Sequence, residues 1–201
     1  MESGLIKRTD YLHEATMAFM NTNKQKLYEA VLLPLAIFRN IRKIVKLLRY
    51  NRVGDYTGTV DPTEFDELIE LASESNALSG PIIEIGCLFG RSTQALAMGK
   101  KSEKKLITVD SFAWNPIGLK KFRHREMTKN NLRFLVAKEN VEIWEMNSEV
   151  FFNTYNGPAP SLVFIDADHS YDGVKNDIIG ALDLKAAIIS GDDYSHPGVK
   201  A

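Results

Sequence analysis

Five short apolar runs, each ending in a glycine or a cluster of polar residues, constrain this chain more than anything else in its sequence. They lie at 81–85, 105–109, 141–146, 162–165 and 187–190, with helical patterns between them. Strands alternating with helices describe a parallel sheet covered by helices on both faces, a doubly wound α/β fold of Rossmann type. In such a sheet ligands gather outside the carboxyl ends of the strands. Gly86, Asp110, Asn147 with Ser148, Asp166 with Asp168, and Asp192 with Asp193 are therefore expected along one edge.

The helical signals support the same reading. Asp61-Pro62-Thr63-Glu64 is a helix start: a capping aspartate, a proline suited to the first turn, and an acid where the helix dipole favours it. Phe65, Leu68, Ile69, Leu71 and Ala72 form its apolar stripe, and Ser79-Gly80 closes it. Further helices are expected over 91–98, 117–139 and 174–184, the second of them polar and rich in Lys and Arg.

Residues 1–60 form a separate helical extension, and 61–201 the α/β domain. Between Val31 and Gly54 there is no acidic residue, while Arg39, Arg42, Lys43, Lys46, Arg49 and Arg52 interleave with apolar residues at helical spacing. Such a basic amphipathic helix either packs its apolar face on protein, including a partner subunit of a homo-oligomer, or lies peripherally on an anionic membrane. Packing is the favoured expectation. The longest strongly apolar run, 30–38, is far short of the roughly 20 residues a spanning helix needs. A net charge of −1 argues against nucleic acid as the main partner. The single cysteine, Cys87, and the lack of a secretory pattern point to the cytoplasm.

Gly86 and Gly90 bracket the first strand-to-helix turn in a G-x-x-x-G spacing, without the middle glycine that lets a pyrophosphate approach closely. Asp110, ending the second strand, can accept both hydroxyls of a ribose. Together they suit an adenosine ligand without phosphates better than NAD. Glu84, inside an apolar strand, needs buried hydrogen-bond partners and can brace the glycine turn. Asn147-Ser148 either reads an adenine edge or caps the following helix.

The segments IIEIGCLFGRSTQALA, ITVDSF, FIDADHSYDGVKNDI and IISGDDYSHPGV resemble class I SAM-dependent methyltransferases. More narrowly they resemble the metal-dependent group that includes cephalosporin-biosynthesis and macrolide-sugar O-methyltransferases. The resemblance covers residues 60–201. It implies S-adenosyl-L-methionine (SAM) as cofactor, with Glu84, Gly86, Gly90, Ser92, Asp110, Ser111, Ser148 and Asp166 at cofactor-contacting positions. It also implies a divalent metal, Mg²⁺ by preference, on Asp166, Asp192 and Asp193. Several carboxylates in one cleft repel unless protonated or bound to a cation, and oxygen ligands favour a hard ion. A metal that binds a sugar or natural-product hydroxyl lowers its pKa, and a base then removes the proton. His169 is the first candidate for that base and Asp168 the second. Family members carry further sheet beyond the fifth strand, so the chain is expected to be truncated and to lack the C-terminal edge strands. Trp114, Asn115 and Pro116 follow the ribose position and are candidates for a lid; Tyr171 and Tyr194 are candidates for the acceptor pocket. An inactive SAM-fold scaffold and another nucleotide-binding Rossmann enzyme are the alternative functions.

Overall fold

The computed structural model describes residues 60–116 and 118–200. The basic segment 31–54, and the helical extension of which it is part, lie outside the described residues.

The chain enters the domain through α1 (Pro62–Glu74). Asp61 accepts hydrogen bonds from the backbone N–H groups of Thr63 and Glu64, and the Glu64 carboxylate accepts from the Asp61 N–H at 2.7 Å. This reciprocal capping box is the start expected from the sequence. A single 3₁₀ turn (Ser75–Ala77) follows. Five strands then alternate with helices: β1 (Ile82–Ile85), α2 (Arg91–Gly99), β2 (Leu106–Asp110), α3 (Lys121–Lys138), β3 (Val141–Glu145), α4 (Ser148–Thr154), β4 (Leu162–Ile165), α5 (Tyr171–Asp183), β5 (Ile189–Gly191) and the short α6 (Pro197–Lys200). The fifth strand begins two residues later than its apolar run suggested, and α5 begins three residues earlier, where the Ser170 side chain accepts the Gly173 N–H. A serine cap, rather than the apolar stripe, sets that boundary.

The strands are all parallel, in the order β3-β2-β1-β4-β5. The chain builds outward from β1 to β3, then returns to the other side of β1 with β4. The reversal leaves a switch point between the carboxyl ends of β1 and β4. Successive side chains of β1 serve opposite faces. Ile82 joins a core with Leu68 and Ala72 of α1 and Ala95 and Leu96 of α2. Ile83 and Ile85 join a second core with Phe151 of α4 and Ala181 of α5.

Gly86 sits at the switch point with φ +89°. A Cβ there would lie 1.9 Å from the Asp166 carbonyl oxygen, a backbone atom that cannot swing aside. Both the left-handed conformation and the close approach of β4 therefore require glycine. Gly86→Ala is expected to cost at least about 2 kcal/mol of stability, because strain and overlap add. Chemical denaturation of the purified variant checks this; an unchanged midpoint would contradict it.

Candidate active site at the switch point

A cleft of about 730 Å³ opens at the carboxyl ends of the strands. This is within the usual range for small-molecule sites. Gly86 and Leu88 from the first turn, Asp110 and Ser111 after β2, Asn147 and Ser148 after β3, Asp166 to His169 after β4, and Asp192 and Asp193 after β5 all line it. The convergence expected from the strand ends is what the fold delivers. Glu64 of α1, Trp114 and Pro116 also face the cleft. The sequence shows Glu64 only as an acid suited to the first turn of its helix.

Asp110 organises the first turn. Its Oδ2 accepts the N–H groups of Cys87 and Leu88 at 3.0 and 2.8 Å, and its Oδ1 accepts the N–H of Phe112 at 2.6 Å. Leu88 and Phe112 are both left-handed, with φ +46° and +54°. That conformation costs a bulky residue roughly 1–2 kcal/mol. Hydrogen bonds to a charged group contribute about 1.5–3 kcal/mol each, so three of them outweigh two such residues. A carboxylate has about four acceptor sites, so capacity remains at the cleft wall for a ligand hydroxyl.

Three residues expected at the cofactor stand behind the cleft instead. Gly90 caps α2 with φ +90°, and a Cβ there would overlap Leu132 of α3. Ser92 is buried within α2. Glu84 is fully buried, with Oε2 accepting the Thr93 hydroxyl at 2.5 Å and Oε1 lacking a hydrogen-bond partner. The Thr93 bond ties β1 to α2 across the glycine turn. Asn147 caps α4 by accepting the Val150 N–H, yet still faces the cleft beside Ser148. Burial raises the carboxyl of Asp177 in α5, and the nearby Ser148 opposes that rise.

The acidic group is also rearranged. Ligand atoms of Asp166, His169 and Asp193 all lie within 4.8 Å of one another. His169 Nε2 is 3.4 Å from Asp166 Oδ1 and 3.3 Å from Asp193 Oδ2. Asp192 lines the same cleft, but its Oδ1 accepts the Asp193 N–H. The tight group thus holds His169 where the sequence reading placed Asp192. Asp193 has a left-handed backbone (φ +57°), and the membership of this group is not evident from adjacency in sequence. Burial, with Asp192 adding to it, pushes the Asp166 carboxyl up to about 6, against the opposing influence of His169. Asp168 is exposed at the cleft wall, its Oδ1 accepting the Ser170 N–H at 2.9 Å. Tyr171 and Tyr194 are 49% and 73% exposed and do not line the main cleft. His196, to which the sequence reading gave no role, stacks obliquely 5.5 Å from His169.

A Rossmann-like sheet with a glycine turn and a carboxylate at its switch point is an arrangement that accommodates nucleotide cofactors. Comparison narrows the class. Residues 83–194, more than half of the chain, match a family model described as a methyltransferase domain. The chain belongs to this family, the class I SAM-dependent methyltransferases. Solved structures share the fold. Cofactor-bound Rv0187 from MTB is 23% identical with a TM-score of 0.52, over 82% of this chain and 69% of that one. An O-methyltransferase from Bacillus cereus in complex with SAH is 22% identical with a TM-score of 0.53, over 88% and 75%. No curated protein sequence matches the chain. No helix among the described residues is long and apolar enough to cross a membrane.

Burial pushes the Glu84 carboxyl up to about 7, with the hydroxyls of Ser92, Thr93 and Thr108 opposing it. Its folded pKa exceeds the unfolded value of 4.5. Between these values the folded state binds the extra proton, so stability falls as pH rises from about 4.5 to about 7. The loss is on the order of 3 kcal/mol. Urea denaturation at pH 5 and pH 8 should show Glu84→Gln to be less pH-sensitive than the wild type. Equal pH dependence in both would contradict this.

Proposed function

We propose that the chain is a SAM-dependent O-methyltransferase that transfers a methyl group to a hydroxyl of a sugar or natural-product-like small molecule, assisted by a divalent metal. The observation that carries this reading is the Asp166–His169–Asp193 group, placed in the same cleft as the Gly86 turn and Asp110. The fold it shares with the SAH-bound O-methyltransferase from Bacillus cereus is consistent with that reaction.

The donor set fits a metal. Two carboxylates and an imidazole converge where burial first, and the charge of Asp192 second, raise the Asp166 carboxyl to about 6, and a bound cation would favour its ionised form. Asp166, His169 and Asp193 would hold the ion, with Asp192 adding charge beside them. Carboxylates suit Mg²⁺ or Mn²⁺, and the imidazole moves the preference toward Mn²⁺. Such an ion would lower the pKa of an acceptor hydroxyl and fix its position.

The residues divide the remaining work. The Gly86 turn and Asp110 bind and orient the adenosyl part of SAM, with Ser111 and Ser148 at the wall. The acceptor oxygen attacks the sulfonium methyl carbon, the C–S bond breaks with its electron pair going to sulfur, and SAH and the methyl ether result. The acceptor proton must go to a base. Were His169 Nε2 a ligand of that ion it would not be free to accept the proton, and Asp168, exposed at the cleft wall, would take the role for which His169 is otherwise the first candidate. Trp114 and Pro116, which line the cleft, help to shape the acceptor's surroundings.

Radiolabelled methyl transfer from SAM to a panel of sugar and phenolic hydroxyls tests this. Turnover is expected to vanish in EDTA and return with Mn²⁺ or Mg²⁺. Asp168→Asn is expected to lower kcat on the order of 100-fold, the usual contribution of a general base. Full turnover in EDTA would overturn the metal, and an unchanged kcat in Asp168→Asn the base.

A further inference from the structure

One face of α3 is turned toward the cofactor turn, and it does so with polar groups. His124, Thr128 and Leu132 are buried at successive four-residue steps, and Asn131 lies on the same side, half-buried. The Leu88 carbonyl oxygen accepts the Thr128 hydroxyl at 2.5 Å and the His124 ring, through Nε2, at 2.9 Å. The hydroxyl's alternative acceptor, the His124 carbonyl, is farther at 3.2 Å. Asn131 Nδ2 donates to the Phe89 carbonyl at 3.0 Å. The His124 ring packs against Phe89 and Phe112, at 4.8 and 5.3 Å between ring centres, with Nδ1 3.4 Å from the Phe112 carbonyl oxygen.

We propose that the His124–Thr128–Asn131 face of α3 is a positioning device for the cofactor: it holds the left-handed Leu88 turn in its binding conformation from behind, as Asp110 does from the cleft. The proposal rests on the methyltransferase reading of the cleft. Its physical basis is that a bulky residue stays left-handed only where its surroundings over-determine it. At Leu88 they do. The N–H is held by Asp110, and the carbonyl's two acceptor sites are filled by Thr128 and His124. Leu88 itself lines the cleft, so a relaxed Leu88 changes the wall that the ligand meets. None of the three α3 residues lines the cleft, which makes them positioning rather than catalytic residues.

Calorimetric titration of the full chain with SAH, together with hydrogen exchange of its unliganded form, tests the clamp. Thr128→Val is isosteric and should raise the Kd for SAH about 10-fold, the loss of one buried hydrogen bond. It should also speed exchange at the Leu88 amide. Thr128→Ser, which keeps the hydroxyl, should restore both. Glycine is left-handed without strain, so in the Leu88→Gly background the same Thr128→Val change should alter Kd less than about 3-fold. Asn131→Asp, which replaces the donor by an acceptor at a half-buried position, should also weaken SAH and carries the test should Thr128→Val not fold. Wild-type affinity and exchange in a folded Thr128→Val or Asn131→Asp would overturn the proposal, as would an equal effect of Thr128→Val in both backgrounds. A wild-type chain that binds no SAH would overturn the cofactor reading and this proposal with it.

Discussion

The Asp110 carboxylate is the interaction on which the cleft depends. It ends β2, and its two oxygens take three backbone N–H groups from two loops distant in sequence. Those loops contain two bulky residues in left-handed conformations that neither would adopt alone. One charge therefore fixes the turn after β1 and the segment after β2 together, while leaving acceptor capacity toward the cleft. Gly86 completes the constraint by letting the Asp166 backbone come within reach, which brings the acidic group beside the cofactor turn. The sheet supplies the edge; Asp110 and Gly86 turn the edge into a shaped site.

From that base the cleft divides by charge and position. The side near β1 and β2 is bound up with backbone amides. The side near β4 and β5 carries carboxylates and an imidazole close together, and burial, with Asp192 adding to it, holds the Asp166 carboxyl up. A neutral adenosyl portion suits the first side and a cation the second. Methyl transfer needs donor and acceptor within one enclosure, because they must meet in line at close range.

The sequence disclosed those parts of the structure that follow from period and position. Alternating runs give the parallel sheet, and its strand ends give the edge, so Gly86, Asp110, Ser148, Asp166, Asp192 and Asp193 all reach the cleft as expected. The capping box at Asp61 is equally local. What escaped it depends on three-dimensional packing. The tight group takes His169 beside Asp166 and Asp193, a juxtaposition set by that packing. Gly90 looked like a ligand-contacting glycine but serves the packing of Leu132, a residue about forty positions away. The role of α3 was hidden for a related reason. Its buried face carries His124 and Thr128 because it meets carbonyl oxygens, and a hydrophobic stripe is a poor guide to a face that hydrogen-bonds. The i, i+4, i+7 spacing of His124, Thr128 and Asn131 was the available signal.

The central claim is that Asp110 holds the cofactor turn for an adenosyl ligand. Calorimetric titration of SAH into wild-type and Asp110→Asn chains tests it most directly. The amide keeps the size of the carboxylate but loses its charge and one acceptor oxygen, so at least one of the three backbone N–H groups loses its partner. The account predicts that the wild type binds SAH and that the variant, still folded, binds it at least about 10-fold more weakly. Equal affinity in the two chains would contradict it.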